Sequence, residues 1–469
     1  MAMIAGLSDA QAVLRANISP RAAHIERLES FVEGTQYRGM PDWFEADVQL
    51  WKKAPCISYP IVKSAIDSNT DLVLADGRFP AFTTHPDEDD SIFDDAGLNT
   101  EDSAVMDRLL AGISKQVRFK SACREIFSSA QGAGSGVAMF GVRAEKLFMD
   151  STKARWCVPT FAHDGSVDTL EISYPYLEEF RDESGKWRVS AKLYRRVIDS
   201  QLDTTFLPAD ANTSGIQPIW KRDPLQTFEH GFGFCPVVWY AFMRGCSAVN
   251  KFDGQAIHTN YLDEVRALDM ALSQRHRAAL YAGDPQWTEI GVEQGYTPTG
   301  KARGMAMPAT AAGGVASASN PVTSGYRDTS RVTQGRKKSP GDVWQYEAPD
   351  AKVTLHTLPG DALTAIDNHA RDLRIKLAES LAVVFLDEEH VSSRGAVLSG
   401  RALEALKSRQ LDRCDQYRSD VGDKLILPSL DMLLRVTKKS IESGRPLRLA
   451  GISKAFPILK RFDIADEAA

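Results

Sequence analysis

DALTAIDNHARDLRIKLAESLAVVFLDEEHVSSRGAVLSGRALEALKSRQLDRCDQYRSDVGDKL, from Asp361 to Leu425, is the stretch whose reading decides the fold. Leu358-Pro359-Gly360 precedes it, and Asp361 is placed to cap a helix. Apolar residues then recur at Leu363, Ile366, Ala370, Leu373, Leu377 and Leu381. Steps of three and four put these side chains on one helical face. The stripe runs into Val383-Val384-Phe385-Leu386 and stops at Asp387-Glu388-Glu389-His390-Val391-Ser392-Ser393-Arg394-Gly395. That segment is too rich in charge, serine and glycine to continue a helix. Ser399-Gly400-Arg401-Ala402-Leu403 opens a second helix, with apolar steps at Leu403, Leu406, Cys414, Tyr417, Val421 and Leu425. Neither helix can bury its stripe alone, so each needs a partner in this chain or in a neighbouring copy.

Outward from this stretch, the 469-residue chain has the composition of a globular protein, 43% apolar and 25% charged. Its length allows two to four domains or one large mixed assembly. A formal net charge of -6 gives no bulk pull toward nucleic acid, although local charge matters more than the sum. The six cysteines, Cys56, Cys123, Cys157, Cys235, Cys246 and Cys414, are scattered without a CxxC pair. Reduced thiols in a cytoplasmic setting are the expectation. No apolar run approaches the roughly 20 residues of a membrane span, and the N-terminus lacks a signal-peptide pattern. The chain is therefore expected to be soluble and intracellular when made.

Toward the N-terminus, Pro20 to Phe31 reads as an amphipathic helix with Ile25, Leu28 and Phe31 inward. Pro60 to Leu74 reads as another, on Ile61, Val62, Ala65, Ile66 and Leu72. Phe119 to Ala130 is helical and leads into Gly132-Ala133-Gly134-Ser135-Gly136. A dinucleotide loop follows a strand and opens a helix, whereas this cluster follows a helix and opens a strand, so it reads as a turn into a sheet. From Trp156 to Trp239 the chain is β-rich, with strand-like runs at Cys157 to Phe161, Val167 to Tyr174, Trp187 to Ile198 and Pro236 to Met243. Gln255 to Tyr281 reads as one long helix with a stripe at Ile257, Tyr261, Val265, Leu268, Leu272, His276 and Ala279. Its acidic first half, Asp263, Glu264 and Asp269, and its terminal Arg275 and Arg277 suit the helix dipole with no ligand. The fold class is α+β. Gly291 to Gly341, by contrast, is rich in Gly, Ala, Ser, Thr and Pro, and is expected to be an outward-facing insertion.

Three motifs invite chemistry. Asp87, Glu88, Asp89, Asp90, Asp94, Asp95, Glu101 and Asp102 are oxygen ligands of the kind that hard cations take. Their spacing is not that of a calcium loop, and a solvated, self-repelling loop is the plainer reading. Gly295-Tyr296-Thr297-Pro298-Thr299-Gly300-Lys301 has phosphate-loop spacing, but Ala302 stands where the magnesium-binding hydroxyl is needed. Asp387-Glu388-Glu389-His390 are consecutive and cannot all converge on one ion. No catalytic residues, no metal site and no cofactor are expected. The basic tract with Arg327, Arg331, Arg336, Lys337 and Lys338 is either a solvated loop or a sequence-independent phosphate contact.

The order of parts resembles the portal proteins of tailed bacteriophages, especially those of long-tailed phages. The Ser399-Gly400-Arg401-Ala402-Leu403 opening after a polar loop is the most telling local match, with Tyr37-x-Gly39 and Pro236-Val237-Val238-Trp239 in support. The resemblance covers nearly the whole chain. It implies a portal fold with an α/β wing (1–254), stem helices at 255–282 and 359–385, and between them a small β-containing clip (283–358). A tunnel loop (386–398), a long wing helix (399–427) and a short helical crown (428–469) would follow. It also implies a homo-oligomer, a ring of twelve subunits at one capsid vertex of the virion, assembled in the host cytoplasm. Double-stranded DNA would pass through without sequence preference. A terminase packaging motor, a head-tail adaptor, and major capsid and scaffolding proteins would be its partners, with no membrane involved. Under it, Asp387, Glu388, Glu389, His390, Val391, Ser392, Ser393 and Arg394 line the channel. Arg331, Arg336, Lys337 and Lys338 are the clip's basic residues, and Arg275, Arg277, Arg371 and Arg374 those of the stem. The alternatives are a metal-dependent enzyme acting on nucleic acid through the Asp87 to Asp102 carboxylates, and another phage head-tail joining structural protein.

Overall fold

A computed structural model describes residues 7–41, 52–75, 79, 100–181, 186–211, 218–243, 252–283, 286–290, 352–356, 360–383, 400–449 and 455–456. The fold is mixed α+β, and the chain divides into two compact units. The first joins Met1–Ser273 to Asn368–Ala469, and the second is Gln274–Asp367, inserted between them.

In the first unit, α1 (Leu7–Ala16), α2 (Pro20–Glu33), α3 (Ile61–Leu74), α4 (Thr100–Val117) and α5 (Phe119–Ala133) precede the sheets. Ser19 caps α2, its side chain accepting from the Ala22 amide, and Pro20 sits in the first turn, where its missing N–H costs nothing. Ile25, Leu28 and Phe31 of α2 and Ile61, Val62, Ala65 and Ile66 of α3 are buried, as their periodicity requires. Leu72 is only partly covered, while Val73 and Leu74 complete the buried face.

The Gly132 to Gly136 cluster does follow a helix and open a strand. β1 (Ser135–Arg143) is the middle of a three-stranded antiparallel sheet, between β2 (Lys146–Thr152) and β9 (Val237–Ala241). A second antiparallel sheet runs β3 (Cys157–Phe161), β4 (Val167–Arg181), β5 (Trp187–Ile198), β6 (Leu202–Thr205) and β8 (Phe228–Glu229), with β7 (Ala209–Asp210) also paired to β5. Val137, Met139, Cys157, Leu170, Ile172, Ile198 and Val237 form one core between the two sheets. The first sheet's other partners are helical: Phe127, Tyr240, Phe242, Tyr417, Leu433 and Val436 belong to a single large apolar cluster.

At the C-terminal end, α8 (Gly400–Val421) passes through a π-helical turn at Gly422–Ile426 into α9 (Leu427–Glu442). The helical run therefore crosses the expected 427/428 boundary without a break. Pro428 lacks the amide that an α-helix needs, and the wider turn just before it, where the Leu427 N–H reaches the Gly422 carbonyl, keeps the helical run going. Leu430, Leu433 and Val436 then pack in the same core as β1 and β9.

The long helix expected from Gln255 also starts later than its stripe suggested. Gln255 and Ile257 lie before the helix, their amides bonded to the carbonyls of Phe242 (2.8 Å) and Gln131 (3.0 Å). A 3-10 turn at Thr259–Tyr261 leads into α6 (Leu262–Gly283). Val265 and Leu268 are buried, but His276 and Ala279 are exposed, so the outer part of the expected stripe faces solvent. α7 (Gly360–Ser380) keeps its stripe, with Ala370, Leu377 and Leu381 buried and Leu363, Ile366 and Leu373 partly covered. Within the first unit, Val265, Leu268 and Leu272 of α6 share a core with Leu373, Leu377 and Leu381 and with Phe31, Ile61 and Ile66. Within the second unit, β10 (Gln286–Ile290) pairs antiparallel with β11 (Lys352–His356), and Arg275 reaches Asp367 at 2.8 Å.

Among the described residues no helix is long and apolar enough to cross a membrane. The described cysteines are free thiols. Burial pushes Cys123, Cys157 and Cys235 up to about 12, so these three are protonated packing residues.

Candidate functional site

The segment that launches α6 is held by two polar clusters inside the first unit. The first is centred on Arg21, from the first turn of α2. Its Nε and Nη2 donate to the two carboxylate oxygens of Asp253 at 2.6 and 2.8 Å. Nη1 donates to the Cys157 carbonyl at 2.7 Å and Nη2 also to the Ala154 carbonyl at 3.1 Å. The guanidinium lies 5.7 Å from the Trp239 ring centroid and 5.2 Å from that of Phe252. Both charges are nearly out of water, and a buried ion pair is tolerable only with its remaining donors and acceptors filled, as here. Ser135 adds a hydroxyl that donates to Asp253 at 3.0 Å and accepts from the Gly254 amide at 3.2 Å.

The glycines explain why the cluster forms there. Gly134 ends α5 in the left-handed region, at φ +89°, and its amide bonds the Ala130 carbonyl at 2.8 Å. A Cβ on Gly134 or on Gly254 would run into the other's carbonyl, and one on Gly254 would also strike the backbone of Phe242. Three backbones cross at van der Waals distance, and only glycine lets them.

The second cluster is centred on Asp269 of α6, which is fully buried. Its Oδ2 accepts from the Tyr37 hydroxyl at 2.8 Å and from Gln36 Nε2 at 3.1 Å, and its Oδ1 accepts from the Tyr59 amide at 2.8 Å. One turn on, Ser273 Oγ accepts from the Ile57 amide at 3.0 Å. Burial raises the Asp269 carboxyl above the usual carboxylate range even though the hydrogen bonds oppose it. The Tyr37 phenol is pushed up by burial and by the same carboxylate. Close by, His258 is buried with Nε2 3.0 Å from the Leu28 carbonyl, which fixes the tautomer with the proton on Nε2. Burial pushes it down to about 4, so the ring is neutral at ordinary pH.

The expected site residues are distributed unevenly over this frame. Asp387, Glu388, Glu389, His390, Val391, Ser392, Ser393 and Arg394, together with Arg331, Arg336, Lys337 and Lys338, lie outside the described residues, as do the 295–301 motif and most of the 87–102 acidic run. Of the four arginines expected in a stem, Arg275 is exposed but paired with Asp367, and Arg374 stacks on Tyr59 with 5.4 Å to the ring centroid. Arg277 is partly covered and Arg371 is exposed. Among the described residues no group of His, Cys, Asp and Glu is arranged to hold a metal ion.

Asp269 and Ser273 are what sequence reasoning missed. They stand four apart, beside Val265, Leu268 and Leu272, and so on the edge of the apolar face. A polar i, i+4 pair on a buried edge was the available signal. Arg21 and Asp253 carried no such signal, because 232 positions separate them.

In comparisons with known proteins, no family model matches this chain, and no curated protein matches it.

Proposed function

We propose that this chain is the portal subunit of a tailed bacteriophage of the long-tailed type. It is a structural, non-enzymatic protein that forms a ring of about twelve copies at one capsid vertex of the virion. The ring is the channel for genome packaging and ejection, and the platform for the packaging motor and the head-tail adaptor. The observation that carries this reading is the discontinuous first unit. The chain leaves it along α6, forms the separate unit Gln274–Asp367, and returns along α7 before the long helical run from Gly400 to Glu442. In the portal reading α6 and α7 are the stem, Gln274–Asp367 holds the clip, and the first unit is the wing.

Several features agree with it. Each stem helix leaves a large aliphatic side chain in solvent, Leu280 on α6 and Ile375 on α7, as a subunit facing neighbours in a ring would. The polar clusters at Arg21 and Asp269 tie the start of α6 firmly to its unit, which suits a part that must keep its orientation while DNA moves past. A conduit must also avoid tight phosphate contacts, because each one adds salt-dependent affinity that would stall translocation. Arg275 and Arg374 are engaged within the chain, which weakens their pull on phosphate.

Purified full-length protein should form closed rings by native mass spectrometry and negative-stain electron microscopy, with DNA-sized central holes. A strict monomer at high concentration, including under capsid-assembly conditions, overturns the proposal.

A further inference from the structure

The second sheet of the first unit leaves two apolar spots in solvent. The first is the tip of the β4–β5 ribbon. These strands pair from Leu170 with Ile198 out to Arg181 with Trp187. Their buried residues in the core between the sheets, Val167, Leu170, Ile172 and Ile198, are all at the inner end. At the far end Phe180 is 42% exposed and Trp187 51%. Trp187 pairs with Arg181, one residue beyond Phe180, so the two rings stand on opposite faces. The Arg181 guanidinium lies 4.8 Å from the Trp187 ring centroid and steadies that ring.

The second spot is the outer margin of β6, along which residues 218–229 run. Arg222 bridges Phe206, the Leu207 amide bonds the Lys221 carbonyl at 2.9 Å, and β8 pairs with Leu202 and Asp203. Ile219 is 89% exposed here and Leu225 94%, with Phe228 half exposed. Leu225 is firmly held. Its amide donates to Asp223 Oδ1 at 2.9 Å, and the Asp223 amide bonds the Thr205 carbonyl at 2.8 Å, so a fixed turn presents it to solvent. Exposed apolar residues are ordinary singly, but three on one short margin mark a contact surface.

The two spots differ in charge. The stretch 178–188 carries four carboxylates against three cations, and Glu179, on the Trp187 face, is exposed with no ion pair among the described residues. Along the margin Lys221 and Arg222 are exposed and no ion pair engages either among the described residues, while Asp223 is taken up by its own turn. DNA on these two cations would leave Ile219, Leu225 and Phe228 wet. The tip cannot cover its own margin. The Phe206 amide bonds the Arg195 carbonyl, which sets Leu207 beside Tyr194, and from 194 to 187 the ribbon runs on for roughly 24 Å at 3.4 Å per residue. The tip of one copy on the margin of the next covers both spots in every molecule and brings opposite charges together.

We propose that the β4–β5 tip of one copy docks on the 218–229 margin of a second copy, with Trp187 packed against Ile219 and Leu225 and with Glu179 toward Lys221 and Arg222. The contact is heterologous, so it passes from copy to copy. It rests on the portal reading only for the closure of that chain of contacts into a ring.

The test is an exchange of charge between copies, read by native mass spectrometry and sedimentation of the full-length protein. Glu178→Lys/Glu179→Lys makes the tip basic, and Lys221→Glu/Arg222→Glu makes the margin acidic. Each variant alone sets like charges against one another and should raise the concentration at half-assembly about tenfold. An equimolar mixture of the two should assemble as wild type does, because basic tips then meet acidic margins and acidic tips meet basic ones. Trp187→Ala should weaken assembly by about the same factor, as the loss of an aromatic anchor does. Thermal unfolding of each variant separates lost contact from lost fold. Rings that form in every variant overturn this contact and leave the portal reading standing. Variants that lose assembly without rescuing each other overturn it as well. Open chains of copies, lost in each variant and restored in the mixture, support the contact and overturn the portal reading. A wild type that stays monomeric at high concentration overturns both.

Discussion

Between α5, β9 and α8 the chain is closed by aromatic rings. Phe127 lies 6.0 Å from Phe242, 6.4 Å from Tyr417 and 6.5 Å from Tyr240, and Phe242 lies 5.0 Å from Tyr417. The Tyr240 hydroxyl is the polar exception, and it donates to Asp420 at 3.0 Å. At the root of α6 the means are opposite. Arg21 with Asp253 and Asp269 with Tyr37 and Tyr59 hold the segment through charges and directed hydrogen bonds, beside an aliphatic core that α6 shares with α2, α3 and α7. Apolar burial is non-directional and tolerates small shifts, whereas a bidentate ion pair fixes orientation. The difference suggests that the aromatic region supplies most of the stability and the root supplies a defined exit angle.

The largest expected effect tests the point where the two regions touch. Gly254→Ala puts a methyl group into the backbones of Phe242 and Gly134, and neither can retreat without opening β9 or the end of α5. A loss of more than about 4 kcal/mol is expected, enough to prevent accumulation of folded protein. Soluble protein with wild-type thermal stability would show that the crossing is looser than described.

Within the aromatic region, Phe127→Ala removes the ring that Tyr240, Phe242 and Tyr417 share. A cost of about 3–5 kcal/mol in chemical denaturation is expected, with the cavity term adding to lost burial. Because α8 and α9 pack in the same cluster, amide exchange should rise along both helices. Exchange confined to α5 would break the claim of one shared core.

The two regions were unequally legible in the sequence. α2, α3, α5 and α7 announced themselves because one face is apolar at helical period, and the glycine cluster was placed correctly by its order after a helix. β2 was missed for a definable reason. Its hairpin with β1 turns on Ala144 and Glu145, both at positive φ, where Asn-Gly is the usual signal. α4 was hidden because its first residues, Thr100 to Asp102, belong to the acidic run. α9 was hidden behind Pro428. The root was least legible, since a pair such as Arg21 and Asp253 leaves no local pattern; only Asp269 and Ser273, four apart, could have been read. The expected channel and clip residues lie outside the described residues, and their assignment rests on the order of elements alone.

The Arg21–Asp253 pair tests whether the root is there for stability. Arg21→Met leaves the Asp253 carboxylate buried without its bidentate partner and should cost about 3–5 kcal/mol. The double variant Arg21→Met/Asp253→Leu removes both charges and should recover most of that loss, because replacing a buried pair by apolar groups is often close to neutral. If stability returns while ring formation does not, the pair sets orientation; if both return, its role is packing alone.

The smallest expected effect is at Asp269, where pH gives the sharper signal. The Asp269 carboxyl is raised in the folded protein, so the folded state holds its proton more tightly than the unfolded state does. Its contribution is therefore fully present below the unfolded value near 3.8 and is lost as pH rises through the raised folded value. Asp269→Asn keeps the size but cannot titrate, and should cost about 1 kcal/mol at neutral pH, since one acceptor oxygen becomes a donor facing Tyr37 and Gln36 or the Tyr59 amide. The difference in urea midpoint between wild type and variant should be larger near pH 4 than at pH 7, because wild type alone gains from protonation. Other carboxylates titrate in both proteins and cancel. A difference that grows with pH would mean that the hydrogen bonds from Tyr37, Gln36 and Tyr59 outweigh burial, making Asp269 a stabilised carboxylate and the root a more strongly polar anchor than the aromatic region's single Tyr240–Asp420 bond.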